Sequence, residues 1–216
     1  GVPTVLCLLD ATPGLAVRFL ARFAAHVTVS DAVAVKSLPA PKVMVTGYPV
    51  RQEFQAPHRA AAREYLGLAD DERLLLVMGG SLGARAINRA VAGDLPQLLT
   101  LCRVIHVSGP DDAAWLAEIR TGLTPELQAR YDVHPYLHQG IANTMAAADL
   151  AVCRAGASVM GELPAAGTPA VLIPYPLAAA HQRANARVLA DRGAAVTLEE
   201  RDIGRLATVL SELLTN

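Results

Sequence analysis

From Arg73 onward the chain alternates short β-rich runs with longer helical patterns, LLLVMGG before GARAINRAVAGDL and RVIHVSG before DDAAWLAEIR. The rhythm continues through YDVHPY, a helix around IANTMAAA, DLAVC, the stretch RAGASVMGELPAAG, PAVLIP, HQRANARVLADRG, AAVTLE and IGRLATVLSELL. Strands that each give way to a helix or helix-like segment imply right-handed βαβ units and a doubly wound parallel sheet, an α/β fold. Apolar residues make up 52% of the chain and aromatics only 4%. The core must therefore pack on Ala, Val and Leu, as in parallel sheets covered by helices.

Residues 1–48 carry the same logic in a shorter form: TVLCLL, a helix from Gly14 to Ala25, HVTVS and KVMVTG. They are too few to close a domain and read as the end of one. Residues 49–58, within GYPVRQEFQAPH, combine prolines with mixed polarity and read as a linker. Residues 59–216 then form a complete second domain. The chain opens on Gly1 and moves almost at once into a strand, which reads as a piece of a longer protein; a purification-tag remnant is the alternative.

The formal net charge is −1 and no stretch concentrates Lys and Arg, so a small-molecule partner is expected and a nucleic acid is not. Cys7, Cys102 and Cys153 are scattered and flanked by apolar residues, which reads as reduced core thiols with no metal-binding spacing. No apolar run reaches the length of a membrane span, and the first residues given lack the charged n-region and apolar h-region of a signal peptide.

Two glycine turns could carry chemistry. In MGGSLGARAIN a strand runs into Gly79, Gly80 and Ser81, with a helix beginning at about Gly83. Such a turn offers unpaired N–H groups and a positive helix end to a phosphate. The same turn also serves simply to pack a helix on a strand, and it is neither a P-loop nor a dinucleotide fingerprint. The second turn, CRAGAS, follows DLAVC and opens a helix with Glu162 one turn inside. Both turns fall at carboxyl ends of parallel strands, where doubly wound sheets bind ligands. A carboxylate there can accept two hydrogen bonds from a ribose diol, or it is an exposed helix glutamate near a helix start.

The third candidate, AAHQRANA, follows PAVLIPYP. His181, Gln182 and Asn185 stand at helical spacing, with Gln182 and Asn185 on one face, and neutral amides and imidazoles suit sugar hydroxyls. A polar helix start with a solvated face is the alternative. Pro174 and Pro176 are expected to fix an extended approach to this helix.

GGSLGA, RAGASVMGEL, GTPAVLIPYP and HQRANA, in this order and at these separations, resemble the MurG-type transferases. That family moves N-acetylglucosamine from UDP-N-acetylglucosamine to a lipid-linked muramyl peptide in peptidoglycan synthesis. The resemblance implies a GT-B architecture of two facing Rossmann-like domains, here the end of the acceptor-side domain and all of the donor-binding one. It places Glu162 on the ribose hydroxyls, Ser81 and the neighbouring backbone with Gly80 at the diphosphate, the Leu137 backbone at the uracil edge, and Arg51 near the nucleotide, and counts Ala157 among the substrate-binding residues. Gln182, with His181 beside it, would contact the donor sugar.

Three departures stand out. Cys7, Leu8, Leu9 and Asp10 replace a polar His-Glu-Gln-Asn run, so that a usual asparagine contact becomes the carboxylate of Asp10; Leu82 replaces a glutamine; and Pro164 falls inside the Glu162 helix, where it is expected to delete a backbone bond. The resemblance further implies an inverting, metal-independent and cofactor-free reaction, with a general base expected in a preceding segment and no catalytic residue assigned here. It implies a cytoplasmic protein at the inner face of the membrane, touching it peripherally through the preceding domain. A transferase for another sugar or acceptor, a UDP-sugar epimerase and a non-catalytic nucleotide-sugar-binding subunit are the alternatives.

Overall fold

The computed structural model describes residues 2–55, 58–80, 83–137 and 139–215. Among these, nine strands form two parallel sheets, one holding β1 (Val5–Leu8), β2 (His26–Val29) and β3 (Val43–Val45) in that order. The other holds β4 (Leu74–Met78), β5 (Arg103–Val107), β6 (Tyr131–His134), β7 (Leu150–Cys153), β8 (Ala170–Leu172) and β9 (Ala195–Thr197). Its spatial order, β6-β5-β4-β7-β8-β9, reverses between β4 and β7. These six are the strands expected from the sequence.

The apolar runs follow from burial on both faces. Along β4, Leu74 and Leu76 pack into one core and Leu75 and Val77 into another, as the two-residue period of a strand requires. The helices are α1 (Leu15–Leu20), α2 (Arg59–Tyr65), α3 (Arg85–Gly93), α4 (Leu95–Leu101), α5 (Pro110–Thr121), α6 (Pro125–Gln128), α7 (Ile141–Ala147), α8 (Glu162–Ala166), α9 (Ala179–Ala190) and α10 (Leu206–Thr215). The first core takes residues from α2, α7, α8 and α9; the second takes Ile87 and Val91 of α3, Leu98 and Leu99 of α4, and Leu210 and Leu214 of α10. Alanines at 142, 146, 147 and 186 let helix backbones approach the sheet closely, which accounts for the scarcity of aromatic residues.

In the smaller sheet, Leu8, Val27 and Val29 pack against Ala21 and Ala24, at and just after the end of α1. Cys7 does not join that core: it is exposed, whereas Cys102 and Cys153 are buried and all three are free. The reason is strand alternation, since Leu8 points inward and its neighbour must point away. Helix α1 is also shorter than the expected Gly14–Ala25.

The two sheets meet mainly on α9. Asn185, fully buried, accepts a hydrogen bond from the Ala11 amide at 2.8 Å and donates to Asp10 Oδ1 at 2.9 Å and to the Ala155 carbonyl at 3.0 Å. Arg192 pairs with Asp31 at 2.5 Å, and Ala11, Met160 and Val188 make a small apolar cluster with Tyr48 against it. Gly161 makes room for that tyrosine: a Cβ there would lie 2.3 Å from Tyr48 Cδ1.

Candidate functional site

The carboxyl ends of β4 and β7, at the point where the strand order reverses, open onto a cleft of about 680 Å³. Ligands of doubly wound sheets collect at such points because the two chains diverge there, leaving loops and helix starts around a crevice. One wall is Met78, Gly79, Gly80 and Gly83; the other is Arg154, Gly156 and Ser158, with Gln182 and Tyr175 beyond. Gly83 has φ +78°, and a Cβ on it would lie 2.2 Å from the Ser108 carbonyl oxygen, so the turn closes only on glycine.

A smaller lobe of about 280 Å³ continues from Met78, Gly80 and Ser158 to Arg51, Tyr136, Leu137, Ile141 and Glu162. Apolar side chains of Met78, Val107, Leu137, Ile141 and Met145 line it together with the charged Arg51 and Glu162. The Leu137 side chain packs on the main core, leaving the loop after β6 at the lobe's edge.

Glu162 is the first residue of α8, preceded by a 3₁₀ turn from Ala157 to Met160, and so stands at the helix start and not one turn inside it. Pro164 is the third residue of that helix, where an N–H has no intrahelical partner to lose; the expected missing bond does not arise. Burial pushes the Glu162 carboxyl above the ordinary range, while the Arg51 guanidinium, donating from Nη2 to Oε1 at 3.3 Å, opposes the shift. Arg51 is itself steadied by Glu53 at 2.7 Å and lies over the Phe54 ring.

Gln182 accepts a hydrogen bond from the Tyr175 amide at 2.8 Å, which assigns its oxygen and leaves its NH₂ group, a donor, for the cleft. Asn185, expected on the same face, is instead consumed in joining the two sheets. His181 and Asp10 stand at that seam as well: His181 Nδ1 is 3.1 Å from the Thr12 carbonyl oxygen, and Asp10 holds the Asn185 amide. Pro176 begins a 3₁₀ turn before α9, so the approach is extended only up to Tyr175. Ala157 opens the second turn beside the cleft, and Gly80 lines both lobes. Ser81, Leu82 and His138 lie outside the described residues.

Sequence reasoning passed over four cleft residues. Arg154, within the quoted RAGAS turn, ion-pairs with Glu200, donates to the Ile173 carbonyl at 3.3 Å and lies over the Tyr175 ring. Arg85, an arginine at the very start of a helix, was a readable anomaly, since helix starts favour acids. Tyr175 and Glu200 reach the cleft only through the folding of later segments and left no local signal.

A larger concavity of about 960 Å³ lies at the other end of the sheet, lined by Arg59, Arg63, Arg73 and Asp149. Arg59 meets Asp149 there at 2.6 Å, and Arg63 donates to the carbonyls of Ala69 and Glu72. That concavity is bracing between α2 and the strand starts.

The model of the glycosyltransferase family 28 C-terminal domain matches residues 74–216. A UDP-N-acetylglucosamine–N-acetylmuramyl-(pentapeptide) pyrophosphoryl-undecaprenol N-acetylglucosamine transferase of Roseiflexus sp. (strain RS-1) is 46% identical, the match covering 92% of this chain and 52% of that protein. The protein of the same name from Desulforudis audaxviator is 39% identical over 97% of this chain and 58% of its own length. The chain thus spans little more than half the length of these curated relatives. Among solved structures, Acinetobacter baumannii MurG superposes with a TM-score of 0.71 at 29% identity, covering 100% of this chain and 60% of that one. Anabaena Alr3699/HepE, solved in complex with UDP and glucose, shares the fold at 18% identity with a TM-score of 0.60, over 99% of this chain and 62% of its own.

Proposed function

Because this chain belongs to the family defined by the glycosyltransferase family 28 C-terminal domain, we propose that its cleft holds UDP-N-acetylglucosamine and presents the sugar for transfer to a lipid-linked muramyl peptide in peptidoglycan synthesis. The observation that carries this reading is the junction of two lobes at Gly80 and Ser158, one sized and lined for a nucleoside and the other for a diphosphate and sugar. Uracil sits in the apolar lobe beside Leu137, and Glu162 accepts both hydroxyls of the ribose, as a carboxylate's two oxygens allow. The diphosphate lies between the backbones at Gly80 and Gly156–Ala157, facing the start of α3, where the helix dipole and free N–H groups favour negative charge.

In the reaction an acceptor hydroxyl oxygen bonds to the anomeric carbon, the bond from that carbon to the diphosphate breaks, and the hydroxyl proton leaves to a base. The contribution of this chain is the leaving-group side. Charge growing on UDP is met by donors that do not have to reorganise, which lowers the barrier selectively in the transition state. The Gln182 NH₂ donates to the sugar and orients it. Residues 1–48 and 59–216 act as two domains joined through 49–58, with acceptor and membrane surface approached from the side of the smaller sheet, in a cytoplasmic protein that touches the membrane peripherally. Among the described residues no helix is long and apolar enough to cross a membrane.

Titration calorimetry of the chain with UDP, UMP and ADP tests the reading. UDP should bind more tightly than UMP and ADP; equal or absent binding of all three rejects it. Competition by UDP-N-acetylglucosamine against UDP-glucose then tests the sugar.

A further inference from the structure

Behind the first glycine turn, a run of buried polar groups crosses from the far core to the cleft wall. Tyr131, His106 and Asn88 are fully buried, and Asp112 nearly so. His106 Nδ1 lies 2.9 Å from the Tyr131 hydroxyl and its Nε2 3.0 Å from Asn88 Oδ1. Asn88 Nδ2 donates to the Ser108 carbonyl and to Asp112 Oδ2, each at 2.8 Å. Arg85 Nε donates to Asp112 Oδ1 at 2.9 Å, and Arg85 lines the cleft.

The direction of each bond is forced. Asn88 uses both amide hydrogens on Ser108 and Asp112, so its oxygen must accept. His106 therefore carries its hydrogen on Nε2, and Nδ1 takes the hydrogen of Tyr131. Burial holds this imidazole neutral, lowering its pKa to about 4. From Tyr131 onward one donor at each step points toward the Asp112 carboxylate, which meets Arg85 on its other side.

Stability alone gives no reason for this arrangement. A buried polar run costs desolvation that an apolar core of the same shape would not. Arg85 is the first residue of α3, and no acid occupies that first turn, so its cation opposes the helix dipole. Asp112, in contrast, sits in the first turn of α5, where a carboxylate is favoured. The pairing holds an unfavourably placed cation still, with its side chain 58% exposed toward the cleft.

We propose that Asp112, held by Tyr131, His106 and Asn88, is a positioning residue that fixes the Arg85 guanidinium on the cleft wall as the partner of a ligand's diphosphate. This rests on the cleft being a nucleoside diphosphate site. Asp112 engages Nε, and the Nη donors remain for phosphate oxygens, which a guanidinium fork matches well.

The test compares UDP with uridine, because only UDP carries the diphosphate. Calorimetric titrations use the wild type, Asp112→Asn, Arg85→Ala and the double variant, with thermal unfolding of each ligand-free protein. Each single variant should lose about ten- to hundredfold in UDP affinity, the loss expected for charge-assisted hydrogen bonds. Uridine affinity should stay within about twofold, since its contacts lie in the other lobe. The double variant should bind UDP no worse than Arg85→Ala, because Asp112 acts through Arg85. Equal losses for uridine and UDP, additive losses in the double variant, or wild-type UDP affinity in Arg85→Ala would overturn the inference. Should Asp112→Asn fail to fold, Arg85→Ala, an exposed change, and Tyr131→Phe, which removes the most distant donor, carry the comparison. A wild type that binds neither UDP nor uridine overturns the reading of the cleft and this inference with it; a wild type that binds both while the variants match it overturns this inference alone.

Discussion

The Arg51 guanidinium, at the end of the segment leaving the smaller sheet, donates to Glu162 at 3.3 Å across 111 residues of sequence. It is the cation that opposes the effect of burial on the Glu162 carboxyl. Because burial raises that pKa, the carboxylate is lost as pH falls, beginning above the range of an ordinary glutamate. UDP affinity should decline over the same interval. Arg51→Met removes the opposing charge and moves the decline to higher pH. Affinity should recover as pH is raised further. A binding profile in Arg51→Met that overlays the wild type would show that Arg51 does not control Glu162. Glu162→Ala should cost about ten- to hundredfold and abolish any preference for UDP over 2′-deoxy-UDP.

Asn185 is expected to be the most sensitive position on α9 for stability. Its truncation to Ala leaves the Ala11 amide and the Ala155 carbonyl without their partner and strips Asp10 of a donor. Unsatisfied buried groups of this kind cost about 1–3 kcal/mol each, so the variant should lose about 3 kcal/mol or more. Urea denaturation measures it. A loss below about 0.5 kcal/mol, the range of ordinary surface substitutions, would mean the seam between the sheets contributes little.

Gly161→Ala should be costly for a reason unrelated to backbone conformation, since its φ of −121° suits any residue. The new methyl would meet the Tyr48 ring, which has to move. Overpacking of this type costs about 1–3 kcal/mol. In a Tyr48→Ala background the same substitution should be close to neutral, a coupling that a double-mutant cycle in denaturant reads directly.

Buried His106 gives folding a pH dependence of known sign. Its pKa is lowered from 6.5 to about 4, so between those values the unfolded chain binds the proton that the folded protein refuses. Stability from this group is full above pH 6.5 and is lost progressively as pH falls toward 4. At about 1.36 kcal/mol for each pKa unit, the loss amounts to about 3 kcal/mol. Denaturation midpoints measured across that interval should fall steeply in the wild type and less steeply in His106→Gln. Equal slopes would place the acid sensitivity elsewhere.

Much of the candidate site could be read from local pattern because its backbone parts are local. A strand that ends in glycines and passes into a helix places its N–H groups at the strand's carboxyl end, and the MGG and CRAG turns do this at β4 and β7. The positions of Gly80, Glu162 and Gln182 around one cleft follow from those turns and from α9. Asn185 shows the limit of the same reasoning. Its spacing from Gln182 is a fact of sequence, but its partners Asp10 and Ala11 arrive from a chain segment more than 170 residues away, and burial there converts a sugar-facing candidate into a brace.

The alternation of strands and helices, the parallel sheet and the glycine turns are legible in the residues alone, because hydrophobic period and turn chemistry act over a few residues and each element must bury its apolar face. Which polar residues face the cleft and which hold the frame depends on tertiary packing. Arg51 beside Glu162, Glu200 beside Arg154, and the ordered run from Tyr131 to Arg85 each depend on strand order. The physical reason is that a hydrogen bond or ion pair has directional, ångström-scale requirements, met only after packing brings distant segments into register. Hydrophobic burial has no such requirement and can be read from one segment at a time.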